Sequence, residues 1–105
     1  MFFGFQASLA DTNIHTLASL VTAAYASSVV KPSNRFSQIV IQADNNNGGT
    51  VFLGDSALTS SNYGNQIQKG SQVSFQAEQN NLSTLDIFLL ASAATQKVNI
   101  LLMGN

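Results

Sequence analysis

In Ser71-Gln72-Val73-Ser74-Phe75-Gln76-Ala77, Val73, Phe75 and Ala77 fall on one side and Gln72, Ser74 and Gln76 on the other. Side chains on a strand alternate between faces, so this period of two predicts a strand with one buried and one wet face. The turn pair Lys69-Gly70 precedes it and a polar loop over residues 78–81 follows. The same grammar extends in both directions. Residues 36–43 set Ile39 and Ile41 against Gln38, Val40 and Gln42, and an Asn/Gly-rich turn over residues 44–49 leads to a short strand over residues 50–54. A polar loop over residues 55–65 ends in Asn62-Tyr63-Gly64-Asn65.

Beyond that loop and the quoted strand, residues 85–91 carry Leu85, Ile87 and Leu89 on one face and Phe88 and Leu90 on the other. Residues 97–103 carry Val98, Ile100 and Leu102 opposite Asn99, Leu101 and Met103. A sheet with one wet face does not present apolar side chains on both sides. These two segments either lie centrally, covered on both faces, or have one face covered by another subunit.

The N-terminal third reads differently. Phe3, Phe5, Ala7 and Leu9 alternate with Gly4, Gln6 and Ser8, another half-buried strand, while Phe2 breaks the pattern and points outward. After the turn cluster Asp11-Thr12-Asn13, Leu17, Leu20, Val21 and Ala24 fall at i, i+3, i+4 and i+7. That spacing places them on one face of a short helix over residues 14–25, preferred over a strand through residues 20–25. Lys31-Pro32-Ser33-Asn34 then breaks the chain. Six strands at hairpin spacing with polar turns between them read as a sandwich or barrel.

Composition narrows the function. Hydrophobic residues make up 45% of the 105, an ordinary share, but charged residues only 9%, against about 25% in typical domains. Asn, Gln, Ser and Thr replace them. Charge normally keeps free monomers apart, so an electrically quiet surface is one suited to being covered by partners. The four basic residues, Lys31, Arg35, Lys69 and Lys97, are scattered. Nucleic-acid binding, which needs a basic stripe, is not expected. No apolar run reaches the ~20 residues of a membrane-spanning helix, and the start Met1-Phe2-Phe3-Gly4-Phe5 has no basic region of a signal peptide. Cysteine is absent, which removes disulfides and thiolate metal sites. The sequon Asn81-Leu82-Ser83 reads as chance.

Catalytic patterns are missing. Asp11, Asp44, Asp55, Glu78 and Asp86 form no close pair in sequence, and most sit in turns, where carboxylates serve the backbone. His15 is the only histidine and is read as a solvated or capping residue of the helix start. There is no nucleophile elbow and no phosphate-cradling loop. Asp44-Asn45-Asn46-Asn47-Gly48 lacks the alternating Asp and the terminal Glu of a calcium loop. No catalytic, cofactor or metal residue is assigned, and no cofactor is expected.

The succession Ile39-Val40-Ile41-Gln42-Ala43-Asp44, an Asn/Gly turn, Val51-Phe52-Leu53-Gly54-Asp55, Ser60-Ser61-Asn62-Tyr63-Gly64 and Lys69-Gly70-Ser71, followed by strands over residues 85–90 and 98–102, resembles small β-sandwich virion proteins of tailed bacteriophages. The leading helix with Leu17 and Leu20 fits the same pattern. The resemblance covers most of the chain but rests on turn and core positions, so it transfers no functional residue. It implies a structural component of a phage particle, of the capsid decoration or cement type, located in the virion. Its partner would be the major capsid protein or another virion protein. The basic stretch that would grip an acidic shell is absent, which favours apolar and main-chain contacts.

The expectation is therefore a mainly β chain forming one jelly-roll-like β-sandwich domain over residues 1–105. It has six to eight short antiparallel strands and one short helix in its N-terminal half. Its expected role is non-enzymatic, binding and stabilising an assembled capsid as a homo-oligomer, dimer or trimer. Candidate partner-interface residues are Phe2, Phe3, Phe5, Leu101 and Met103, whose alternative role is core packing. The alternative function is a tail- or fibre-associated carbohydrate- or receptor-binding module using Asn62, Tyr63, Gly64 and Asn65 beside Asp44.

Overall fold

A computed structural model of the chain describes residues 2–104. The chain is mainly β, with antiparallel sheets and one helix. In order it forms β1 (Phe2–Leu9), β2 (His15–Thr16), α1 (Leu17–Ala24), β3 (Arg35–Phe36), β4 (Gln38–Ala43), β5 (Val51–Gly54), β6 (Asn65–Ile67), β7 (Gln72–Gln76), β8 (Leu82–Ser83), β9 (Phe88–Ala91) and β10 (Gln96–Met103). A single 3-10 turn, Glu78–Asn80, sits between β7 and β8.

Two four-stranded sheets carry the architecture, in the orders β1-β10-β4-β7 and β2-β9-β5-β6, and β3 pairs with β8 in a small third ladder. Every pairing is antiparallel. The first sheet contributes Leu9, Ile39, Ile41, Ala43, Val98, Ile100 and Leu102 to one buried cluster, and the second contributes Val51, Leu53, Ile67, Leu89 and Ala91. Leu17 and Val21 of α1 and Phe36 of β3 complete it. The alternation in β4, β7 and β10 falls as the sequence predicts, with Val73 and Phe75 half-buried against the core and Gln72, Ser74 and Gln76 exposed.

The two segments apolar on both sides supply central strands. β10 lies between β1 and β4, and β9 between β2 and β5. Their outward residues Leu101, Met103, Phe88 and Leu90 are half-buried. One part of this expectation is corrected. Leu85 belongs to no strand and is 54% exposed, because the chain over residues 84–87 turns to meet the start of α1. Leu17 N–H donates to the Ile87 carbonyl (2.8 Å) and Ala18 N–H to that of Thr84 (3.1 Å). These bonds satisfy helix N–H groups that have no partner within the helix.

The helix is shorter than predicted. Its expected first residues form β2 instead, where His15 and Thr16 pair with Leu89 and Phe88. His15 is consequently a strand residue and not a cap. Its Nε2 lies 3.0 Å from Asp11 Oδ1. The Asp11 carboxyl is held below its ordinary pKa, first by the backbone N–H of Asn13 and then by His15. Just beyond the far end of α1, Lys31 Nζ donates to the carbonyls of Tyr25 (3.3 Å) and Ala26 (2.8 Å), placing a cation near the negative end of the helix dipole.

Candidate functional site

The outward side of the β1-β10-β4-β7 sheet gathers what the sequence suggested as partner contacts. Its register sets side chains in rows across the strands. Phe2 lies opposite Met103, Met103 opposite Gln38, and Gln38 opposite Gln76. The next outward row is Gly4, Leu101, Val40 and Ser74, and the next is Gln6, Asn99, Gln42 and Gln72. Ser8 and Lys97 follow at one end, beside Asp44.

The face thus divides into an apolar patch and an amide ladder. Phe2 is 65% exposed and the side chains of Met103, Leu101 and Val40 are half-buried. Gly4 offers no side chain, so Leu101 and Val40 line a shallow groove with Gln42 and Asn99 at its polar side. Across the next row, Gln6 Nε2 donates to Asn99 Oδ1 (2.9 Å), Asn99 Nδ2 donates to Gln42 Oε1 (3.3 Å) and Gln42 Nε2 to the Gly70 carbonyl (3.4 Å). Gln6 and Asn99 both also donate to Asp44 Oδ1 at 3.4 Å. These bonds orient the amides, while each retains further donor or acceptor capacity toward solvent. Lys97 and Asp44 stand at one margin of this face, and Glu78 at the other, beside Gln38 and Gln76.

The five predicted anchors split between two sides of the sheet. Phe2, Leu101 and Met103 share the outward face. Phe3 and Phe5 point to the opposite side, half-buried against the core. Tyr25 fixes them there, edge-on to Phe3 at 5.2 Å and to Phe5 at 5.6 Å between ring centroids. Phe3 also meets the buried Phe36 at 6.4 Å. The period of two along β1 forces this division. Val40 joins the patch without having been singled out. Its signal was visible as an apolar residue between Gln38 and Gln42 on the outward face of β4.

The loop candidates lie on the other sheet. Tyr63 packs its ring on Phe52 at 4.8 Å, and Gly64 N–H donates to the Leu53 carbonyl at 2.8 Å. Asn65 opens β6. The carboxylate sharing a shallow depression with Asn62, Tyr63 and Gly64 is Asp55, not Asp44. Asp55 Oδ1 already accepts the N–H of Ala57 at 2.9 Å, and Asp44 Oδ2 that of Asn46 at 3.2 Å, so both carboxylates brace their own turns. Among the described residues no three of His, Asp or Glu gather into a metal-binding group, and no helix is long and apolar enough to cross a membrane. No family model matches the chain, and no curated protein matches it.

Proposed function

We propose that the chain is a non-enzymatic structural protein of a phage particle, a cement or decoration protein that binds the assembled shell through the outward face of the β1-β10-β4-β7 sheet. The two sheets are read as a jelly-roll sandwich. The orders β1-β10-β4-β7 and β2-β9-β5-β6 support that reading, because a jelly roll divides eight strands between two sheets as two Greek keys, an arrangement used by viral capsid and lectin domains. The observation that carries the functional reading is the apolar patch of Phe2, Met103, Leu101 and Val40 beside an amide ladder that meets a single carboxylate, Asp44, at its margin. Such a surface supplies apolar anchors at its centre and hydrogen-bonding side chains around them, with little charge to desolvate. A protein that binds only the assembled lattice stabilises it by mass action, and repetition over many copies multiplies a modest contact.

The test is co-sedimentation of the purified protein with shells that lack it. Leu101→Lys and Val40→Lys place an ammonium in the patch on the solvent side. Each is expected to weaken shell binding by about 30-fold or more, the size of a central contact residue, with the melting temperature held near wild type. Unchanged shell binding by both variants would remove this face from the reading.

A tail- or fibre-associated carbohydrate module is the second reading, supported by Tyr63, 44% exposed beside Asn62 and Asp55. One side of the Tyr63 ring is already taken by Phe52. A glycan array probed with wild type and Tyr63→Ala tests it, and an array without hits removes it.

A further inference from the structure

We propose that a second copy of this chain pairs with β7, edge to edge and antiparallel, so that two four-stranded sheets become one continuous sheet across a two-fold axis. This goes beyond the shell-binding reading, because edge pairing leaves the outward face of each sheet uncovered, and either can hold without the other.

β7 is the exposed edge of its sheet, bonded only to β4. Ala43 N–H donates to the Ser71 carbonyl (3.0 Å) and Ala77 N–H to that of Ser37 (2.9 Å). In an antiparallel ladder these bonds alternate along the strand, so Val73 and Phe75 direct their backbone groups to β4. The N–H and C=O groups of Gln72, Ser74 and Gln76 therefore point away from the sheet. Exposed edges of this kind template further pairing unless they are very short, charged, broken by proline or covered. The other edges of the two four-stranded sheets are shorter or partly covered. β2 has two residues and β6 three. β1 is flanked by α1, and the Tyr25 hydroxyl donates to the Gly4 carbonyl at 3.3 Å. β7 has five residues, Gln-Val-Ser-Phe-Gln, without charge or proline.

The strand is also complementary to itself. An antiparallel pairing centred on Ser74 sets Ser74 against Ser74, Gln72 against Gln76 and Val73 against Phe75. Ser74 and the two glutamines fall at hydrogen-bonded positions, where their outward backbone groups meet in full. Val73 and Phe75 fall at the non-hydrogen-bonded positions, where side chains approach most closely and an aromatic–β-branched pair is favourable. Both are half-buried, and Phe75 rims a cleft with Leu53 and Ile87, so pairing covers apolar surface left at the flank of the core.

Charge selects the direction. Lys69 precedes the strand and Glu78 follows it, and neither is in an ion pair with another described residue. Antiparallel pairing brings Lys69 of each copy toward Glu78 of the other, at both ends of the interface. Parallel pairing would set Lys69 beside Lys69 and Glu78 beside Glu78. The interface is isologous and closed, giving a dimer and no fibre. Five residues on each side make it smaller than a standard stable interface, so it is a modest dimer, filled at high concentration or on a crowded lattice.

Sedimentation velocity over a concentration series tests the pairing. The wild type is expected to reach twice the chain mass. Ser74→Pro removes an N–H that points away from β4, so the chain's own ladder stays intact while the pairing is blocked. It is expected to remain monomeric with an unchanged circular dichroism spectrum. Lys69→Glu should raise the dimer dissociation constant about tenfold, and adding Glu78→Lys should restore it. If Ser74→Pro fails to fold, this charge series decides alone. A wild type still monomeric at millimolar concentration, a trimer, a dimer that folded Ser74→Pro leaves intact, or a Lys69→Glu without effect would overturn the proposal. Shell co-sedimentation is read separately. A wild type that dimerises but does not co-sediment with shells would count against the shell reading only, and shell binding by a wild type that never dimerises would count against edge pairing only.

Discussion

Asn47 lies in the turn after β4, yet both ends of its amide bond the main chain of one distant residue. Its Nδ2 donates to the Lys97 carbonyl and its Oδ1 accepts the Lys97 N–H, each at 2.8 Å, and the side chain is 7% exposed. Beside it, buried Gln96 accepts the N–H of Gly49 (2.9 Å) and donates to the Ala94 carbonyl (3.0 Å). Together they clamp the Asn/Gly turn to the turn before β10. Asn47→Ala leaves the Lys97 N–H without its partner, while the Lys97 carbonyl keeps the Asp44 N–H (3.1 Å), and should cost about 1–2 kcal/mol, read as a lower urea midpoint with an unchanged slope. The turn was legible in the sequence from its Asn/Gly composition. The clamp was not, because nothing local to Asn47 marks a partner fifty positions away. Thr95 poses the opposite case, a β-branched residue held at φ 62°. It is exposed there, and relief of the left-handed strain by Thr95→Gly should raise the melting temperature by about 4–8 °C, roughly 1 kcal/mol in a domain of this size.

Among the elements, β7 owes its register to the turn that delivers it. Gly70 sits at φ 78°, donates its N–H to the Ala43 carbonyl at 2.8 Å, and leaves no room for a side chain: a Cβ would stand 2.5 Å from Asn45 Oδ1. Gly70→Ala combines a disfavoured backbone with that contact and should destabilise the protein by about 2 kcal/mol, with hydrogen exchange rising first in β7. Elements with five or more alternating residues were readable because one face must be buried for a strand to hold its place. Lys69-Gly70 announced its turn for a similar reason. The brief elements β2, β3, β6 and β8 carried no such pattern. Their pairing follows from neighbours supplied by the fold: His15 is a strand residue only because β9 lies alongside. The candidate face was half-readable in the same sense. Strand period alone separated Phe2 from Phe3 and Phe5, but which strands stand next to β1 determined that Leu101 and Val40 would join it.

The molecule holds together through one cluster drawn from both sheets and α1. Phe36, fully buried between them, meets Phe3 at 6.4 Å and lies near Gly104 at the other end of the chain. Phe36→Ala should cost about 3–5 kcal/mol, and its thermal transition should remain a single one by near-ultraviolet and far-ultraviolet circular dichroism alike. A variant that loses one sheet before the other would show that the core is divided. The pairing of β1 with β10, Phe2 against Met103 at one end and Leu9 against Gln96 at the other, has a kinetic side as well. β1 cannot find its neighbour until β10, far along the chain, has been made. Until then its three phenylalanines stand in water, exposed to any other nascent copy. Ladders spanning such distances along the chain are slow to close, in the millisecond-to-second range, so the interval between synthesis and closure is when this protein most needs a chaperone.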